Sequence, residues 1–334
     1  MCGMEKSANA QSWAAVGGGT DGWVASLASY NSELYLGGYF GIVYNTTGPS
    51  ILTNFIAKWN GTNLDSVGRG MDNLVYALTT YNGELYAGGS FTSAGGNPAS
   101  CIAKWNGSTW SPVGSGMNAN GIVRSLAVYN GELYAGGGFN SAGGNPASRI
   151  AKWNGTSWDS VGTGMNDNVY SLAAYNGELY AGGAFSIAGG NFANQIAKWN
   201  GTSWSSVSGG TDADVFSLAV HSGELYAGGL FDYVGGFAVQ AYSIAKWNIP
   251  NGIEENLIHD KINISPNPSN GIFSLTCSER ISNIEIYDVM GKLIYNSKPQ
   301  IPNPKLDLSD KTKGIYFIKV TNASKIYSQK IIIQ

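Results

Sequence analysis

Val169–Val207 reads VYSLAAYNGELYAGGAFSIAGGNFANQIAKWNGTSWSSV, and this stretch decides the architecture. It holds four short apolar segments: Val-Tyr-Ser-Leu, Glu-Leu-Tyr, Ile-Ala-Lys-Trp and Trp-Ser-Ser-Val. Each is rich in β-branched and aromatic residues and bounded by turn residues, which reads as strand and not helix. The Asn176-Gly177 and Asn200-Gly201 pairs stand between consecutive segments. Asn-Gly accepts positive φ at both central positions of a type I′ turn, so both pairs are read as two-residue hairpins. The stretch is therefore a four-stranded antiparallel meander.

Working outward, the same unit recurs along the chain. Ile-Ala-Lys-Trp places its Trp at 59, 105, 153, 199 and 247, spacings of 46, 48, 46 and 48. Glu-Leu-Tyr-x-Gly-Gly starts at Glu33, Glu84, Glu132, Glu178 and Glu224. Val-x-(Ser/Ala)-Leu starts at Val24, Val75, Val123, Val169 and Val215. Trp-x-x-Val starts at Trp13, Trp110, Trp158 and Trp204, with Leu64 standing in once. A fixed period of this length signals a repeat architecture whose units bury their faces only against one another.

Small residues two apart in the first segment (Ser26/Ala28, Ser125/Ala127, Ser171/Ala173) suit a crowded innermost strand, with the tryptophans further out. Radial packing of such meanders gives a β-propeller. The first Trp-x-x-Val precedes any complete unit, and the fifth unit ends at Trp247 after its third strand. Pairing residues 12–16 beside 243–247 would complete a fifth blade and remove the open edges. The expectation is an all-β chain over 12–248: a five-bladed propeller of four-stranded blades closed by its N-terminal strand. An open fragment of a longer array is the alternative.

The unit resembles a kelch-type blade, with its double Gly after the second strand and a Trp opening the fourth. It is closer still to bacterial kelch-like repeats grouped with cell-polarity-marker propellers. The copper-ligating His and Tyr set and Tyr–Cys crosslink of galactose oxidase, another kelch architecture, have no counterpart here.

The tail differs in kind. All ten Trp and 43 of the 47 Gly lie before residue 251. Residues 1–250 carry 9 Lys/Arg and 14 Asp/Glu, whereas 251–334 carry 10 and 8. The division expected is a tail at 1–11, the repeats at 12–248, a polar linker at 249–260 and a second domain at 261–334. About seven short strands in the last region suggest a small Ig-like β-sandwich. It resembles the C-terminal sorting domain of type IX secretion. The matching residues are Pro266-Asn267-Pro268 with Gly271, the Ile286-Tyr287-Asp288 to Gly291-Lys292 hairpin, Gly314-Ile315-Tyr316, and Lys330-Ile331-Ile332-Ile333. The resemblance implies a partner, the type IX machinery, and an address: secreted or on the outer-membrane surface of a Gram-negative bacterium. It also implies a signal peptide, and MCGMEKSANAQSW has no apolar stretch to serve as one. That absence is read as a truncated or mis-called start.

A charged share of 12% and a net charge of −3 leave no basic stripe for nucleic acid. No run of 18 apolar residues offers a membrane-spanning helix. Three cysteines (Cys2, Cys101, Cys277), far apart, form neither a disulfide framework nor a zinc site. His221 replaces a recurring Tyr and His259 falls in the linker, so no catalytic set, metal site or cofactor is expected. The repeated Glu and Lys (58, 104, 152, 198, 246) read as cross-strand pairs. The series Asp21, Asp72, Asn118, Asn166, Asp212 reads as turn capping, with a ring of cation-binding oxygens as the alternative.

Binding is expected where the repeats break their pattern. The loops FTSAGGNPAS, FNSAGGNPAS and FSIAGGNFAN are near copies, whereas residues 39–55 and 231–243 depart. A closed ring makes those two loops neighbours and gathers Tyr39, Tyr44, Tyr233, Phe237 and Tyr242, with Trp23 beside them. Aromatic faces with few charges suit a glycan or peptide groove. The reading is an exported binding or adhesion module for glycan or protein. A carbohydrate-active hydrolase or lyase and a purely structural surface scaffold are the alternatives. A glycosidase needs paired carboxylates, and the two loops hold only Asp232 between them.

Overall fold

The computed structural model describes residues 12–118, 120–247, 263–276, 281–289, 291–299, 304–322 and 326–334. The proposed tail at 1–11 and linker at 249–260 lie outside the described residues, as do Cys2, Cys277 and His259. The chain divides into two compact domains, Met1–Asn248 and Ile249–Gln334. Among the described residues every regular element is a β-strand, and every named strand pair is antiparallel.

In the first domain the meander recurs as expected. The second repeat pairs Val75–Tyr81, Glu84–Gly89, Ile102–Trp105 and Trp110–Pro112 in that order. The first, third and fourth repeats build the same four-stranded sheet. The first hairpin of each repeat is a two-residue turn with positive φ at both centres, as at Asn82 (48°) and Gly83 (76°). The second is not. Trp105 pairs with Trp110, leaving four loop residues, and only Gly107 among them has positive φ. There the Asn106 side-chain oxygen accepts from Ser108 N and Thr109 N, so the asparagine caps the turn from its side chain.

The domain interior is a series of inter-repeat cores. Val75, Leu85 and Ala87 of the second repeat pack with Tyr35 and Ile56 of the first. The same arrangement recurs at the next two joints. Trp110, Trp158 and Trp204 each reach back to the preceding repeat, where their indole Nε1 donates to the carbonyls of Val67, Val113 and Val161 at 2.9 Å. In each repeat Lys meets Glu across the second and third strands at 2.7–3.0 Å. The first four tyrosines after these glutamates (Tyr35, Tyr86, Tyr134, Tyr180) are buried beside them.

The fifth sheet corrects the closure expected from the sequence. It has three strands, Val215–His221, Glu224–Gly229 and Ile244–Trp247, and residues 12–16 form no strand beside it. Trp13 is wholly exposed. The segment after it is held on the first repeat, as the segment after each later fourth strand is held on the repeat that follows it. Gly18 N donates to Tyr44 O at 2.7 Å, and Gly19–Thr20 pairs with Val43–Tyr44. The face of the first repeat that would meet the fifth is uncovered: Val24 and Leu27 are exposed, whereas Val75, Val123, Val169 and Val215 in the same position as Val24 are fully buried. The first domain is an open array.

The second domain has seven strands among its described residues, in two sheets. One contains Asn263–Ser265, Ile272–Thr276 and Lys305–Asp307, and the other Ile281–Asp288, Leu293–Ser297, Gly314–Asn322 and Ile326–Ile333. Phe273, Leu275, Ile284, Ile286, Ile318 and Ile331 fill the space between them. Asn267 explains why the first and last motifs occur together. Its Nδ2 donates to Lys330 O at 2.8 Å, and its Oδ1 accepts from Ile332 N at 2.9 Å. Gly271 has φ +99° and a Cβ there would stand 2.7 Å from Ser309 Cα, so only glycine fits. The Tyr316 hydroxyl donates to Thr312 O at 2.6 Å. Asn267→Ala should loosen the terminal strand by about 1–2 kcal/mol. The expected reading is about tenfold faster amide exchange over Lys330–Ile333, with tryptophan fluorescence, which reports the first domain, unchanged.

Candidate functional site

The first strands of successive repeats pack side by side, and each carries one β-bulge, between Val24 and Ser26, Val75 and Ala77, Val123 and Ser125, Val169 and Ser171, and Val215 and Ser217. A bulge re-aims the side chain of its extra residue. At four of the five bulges that residue is Tyr76, Arg124, Tyr170 and Phe216, and Trp23 flanks the first. Together these side chains make one row across all five repeats. Trp23 and Tyr76 have ring centroids 6.2 Å apart, and Tyr170 and Phe216 are 5.4 Å apart. Between the two pairs the Arg124 guanidinium lies 5.3 Å from the Tyr76 centroid and 5.4 Å from that of Tyr170.

Arg124 makes no ion pair with any described carboxylate, and its Nε is buried with no hydrogen-bond partner. Its charge is held by two π faces, each attractive to a cation. Trp23 and Phe216, the ends of the row, are half-exposed, and Tyr76, Arg124 and Tyr170 are partly so. The row therefore offers ring faces and one cationic edge along a continuous surface.

Of the six residues singled out from the sequence, five fall into two contact groups, and Tyr44 stands apart from both. Trp23 and Tyr39 are in ring contact at 6.1 Å, and Tyr39 continues to Phe55 at 6.3 Å. Tyr233 and Phe237 stack at 5.9 Å in the fifth repeat, where Gln240 Nε2 donates to the hydroxyls of Tyr233 and Tyr242. Tyr44 is exposed on the short strand Ile42–Tyr44. Among the described residues no ring contact or hydrogen bond joins the aromatic residues of the first repeat's loop to those of the fifth. Trp23 alone belongs to the row. The remaining members could have been found at the second position of Val-x-(Ser/Ala)-Leu, which is aromatic or Arg in repeats two to five and which looks merely variable without the bulge.

Other residues considered from the sequence take structural roles. Asp21, Asp72, Asn118, Asn166 and Asp212 each accept two backbone N–H groups from the start of their own repeat's long loop, as Asp72 does from Thr92 and Ser93. Burial alone would raise the Asp72 carboxyl, but the Thr92 and Ser93 hydrogen bonds outweigh it and hold it low. No group of three or more His, Cys, Asp or Glu among the described residues is placed to hold a metal. Cys101 is buried, and burial, with the Asp72 charge adding to it, pushes its thiol up to about 11, the reverse of an activated nucleophile. Burial first, and the neighbouring Glu charge second, push Tyr35, Tyr86 and Tyr180 up to about 12 and raise Tyr134 further.

Comparison with curated proteins gives no match. Among solved structures the chain is similar to PorZ, a bacterial surface component of the type IX secretion system of Porphyromonas gingivalis, at 13% identity and TM-score 0.36 over 92% of this chain and 51% of that one. It is also similar to the extracellular domain of a one-component system from B. thetaiotaomicron, at 12% identity and TM-score 0.38 over 92% and 45%. A third likeness is to an α-L-arabinofuranosidase of Clostridium thermocellum, at 11% identity and TM-score 0.30 over 83% and 94%. The chain spans about half the length of the first two. No helix among the described residues is long and apolar enough to cross a membrane. Residues 263–334, with the Asn267 clamp on the terminal strand, match the family described as the secretion system C-terminal sorting domain, and this domain marks the chain as a secreted or cell-surface protein.

Proposed function

We propose that the chain is exported through the type IX machinery to the outer-membrane surface, where its kelch-like propeller array works as a binding module and not as an enzyme. The ligand is a glycan lying along the row Trp23–Tyr76–Arg124–Tyr170–Phe216. One observation carries this reading: five first strands place ring faces and a single guanidinium side by side at centroid distances of 5.3–6.2 Å. Sugar rings present apolar faces that stack on aromatic side chains, and an extended polymer can use several at once. Arg124 adds hydrogen-bond donors for hydroxyl or carboxylate groups.

The test is binding of the full chain to an array of neutral and acidic polysaccharides, alongside Tyr76→Ala with Tyr170→Ala. Two lost aromatic contacts at about 0.5–1.5 kcal/mol each should weaken binding by about tenfold to a hundredfold. The unfolding transition followed by tryptophan fluorescence should be retained. Undiminished glycan binding by the double variant would remove the row as the site. Capture of a protein and no glycan would leave an adhesin.

A further inference from the structure

The two ends of the array carry the two halves of one interface. Inside the chain, each joint between repeats is made in the same way. A Cβ on Gly37, Gly88, Gly136 or Gly182 would lie 2.4–2.6 Å from the Cγ1 of Val75, Val123, Val169 or Val215 in the next repeat. The glycine is thus a socket and the valine its knob. Beside three of these joints, Ser26, Ser125 and Ser171 accept at Oγ from the backbone N of Leu78, Leu172 and Leu218 at 2.9 Å. The second repeat has Ala77 at this position and lacks the hydroxyl.

At the far end, the socket of the fifth repeat is empty. A Cβ on Gly228 would meet nothing closer than 3.8 Å. At the near end, the knobs are bare: Val24 is 39% exposed and Leu27 57%, whereas Val75, Val123, Val169 and Val215 are 0% exposed. Ile244 on the unpaired edge of the fifth sheet is 65% exposed, while Ile56, Ile102 and Ile150 in the same position are 0%.

The missing fourth strand has its counterpart as well. Trp13-Ala14-Ala15-Val16 repeats the Trp-x-x-Val pattern and lies where a preceding repeat would place it. A Cβ on Gly17 would stand 3.2 Å from Leu64 Cδ1, as one on Gly68 would stand 3.1 Å from Trp105 and 3.4 Å from Trp110 Cδ1. Here both ends keep the interior chemistry, and each matches the other.

We propose that a second copy of this chain occupies these ends, near end on far end. Val24 of one copy enters the Gly228 socket of the next, and Leu27 N donates to Ser217 Oγ. Trp13–Val16 adds to Ile244–Trp247 as the absent fourth strand, and the Trp13 indole donates to Val207 O as Trp204 does to Val161. Every one of these contacts repeats a contact present within the chain. The interface is heterologous, so it generates a ring of chains or an open filament. It is independent of the glycan reading.

Sedimentation velocity over a concentration series should show the full chain growing beyond one copy. Gly228→Val, whose side chain fills the socket from inside, should remove that growth without lowering the melt of the dilute protein. A second variant traps the geometry: Trp13→Cys with Trp247→Cys, in a background with Cys2 and Cys277 changed to Ser, places thiols at a cross-strand pair equivalent to Trp105 and Trp110. Mild oxidation should give a ladder of disulfide-linked multimers on a non-reducing gel. A crosslink confined to single chains would show that the ends meet within their own chain and overturn the proposal. A single-copy protein at every concentration would overturn it too.

Discussion

Raising the pH from 10 to 12 is expected to strip the first domain of several kcal/mol of stability. Tyr35, Tyr86 and Tyr180 are buried beside Glu33, Glu84 and Glu178, and their hydroxyls are pushed from the ordinary 10 up to about 12. A phenol with a raised folded-state value keeps its proton when the unfolded chain has lost it. Above pH 10 the unfolded state therefore binds fewer protons, and stability falls as pH rises until the folded values are passed. Each of the three contributes about 2 kcal/mol across that window. The contrast is present in the same molecule: Tyr226 of the fifth repeat, raised chiefly by its hydrogen bond to Glu224, is only partly buried and adds little. Urea titrations at pH 9.5 and 11.5 should show the fall, and Tyr86→Phe with Tyr180→Phe should flatten it by about 4 kcal/mol, since a phenyl ring has no proton to lose. An equal fall in the double variant would show that these tyrosines do not cause it.

The second large effect separates two glycines that the sequence presents as equals. Gly136→Val drives a branched side chain into Val169, whose Cγ1 would already be 2.6 Å from the Cβ. Overpacking of this kind costs about 1–3 kcal/mol where neighbours can yield. Here Val169 is fully buried and Leu172 Cδ1 would lie 3.3 Å from the same Cβ, so the upper end of that range or beyond is expected. Gly228→Val, in the same motif, should change the melt of the dilute protein by no more than about 0.5 kcal/mol, the usual span for a surface site. Parallel thermal melts of the two variants decide it. Equal losses would mean that the fifth repeat is covered as the third is.

How much of this was legible beforehand follows from how local each feature is. The strands and first hairpins were readable because Asn82-Gly83 and its equivalents fix their turns within two residues. The Glu–Lys pairs were readable because two adjacent strands in register bring them together. The second hairpin was misread because Asn106 closes its turn with a side-chain oxygen, a choice that the pair Asn-Gly leaves open. The aromatic row was missed because a bulge shifts the facing of Tyr76, Arg124, Tyr170 and Phe216, and simple alternation does not report a bulge.

The sequence by itself determined the repeat and the meander in each repeat, which rest on short-range turn chemistry and pairing within about fifty residues, and the sorting domain through its ordered motifs. Only the tertiary structure decided that the array stays open and that Tyr39 and Tyr233 stand apart. Whether the first repeat meets the fifth depends on the small rotation at each of four joints. That rotation is a property of packed side chains that no residue pattern states.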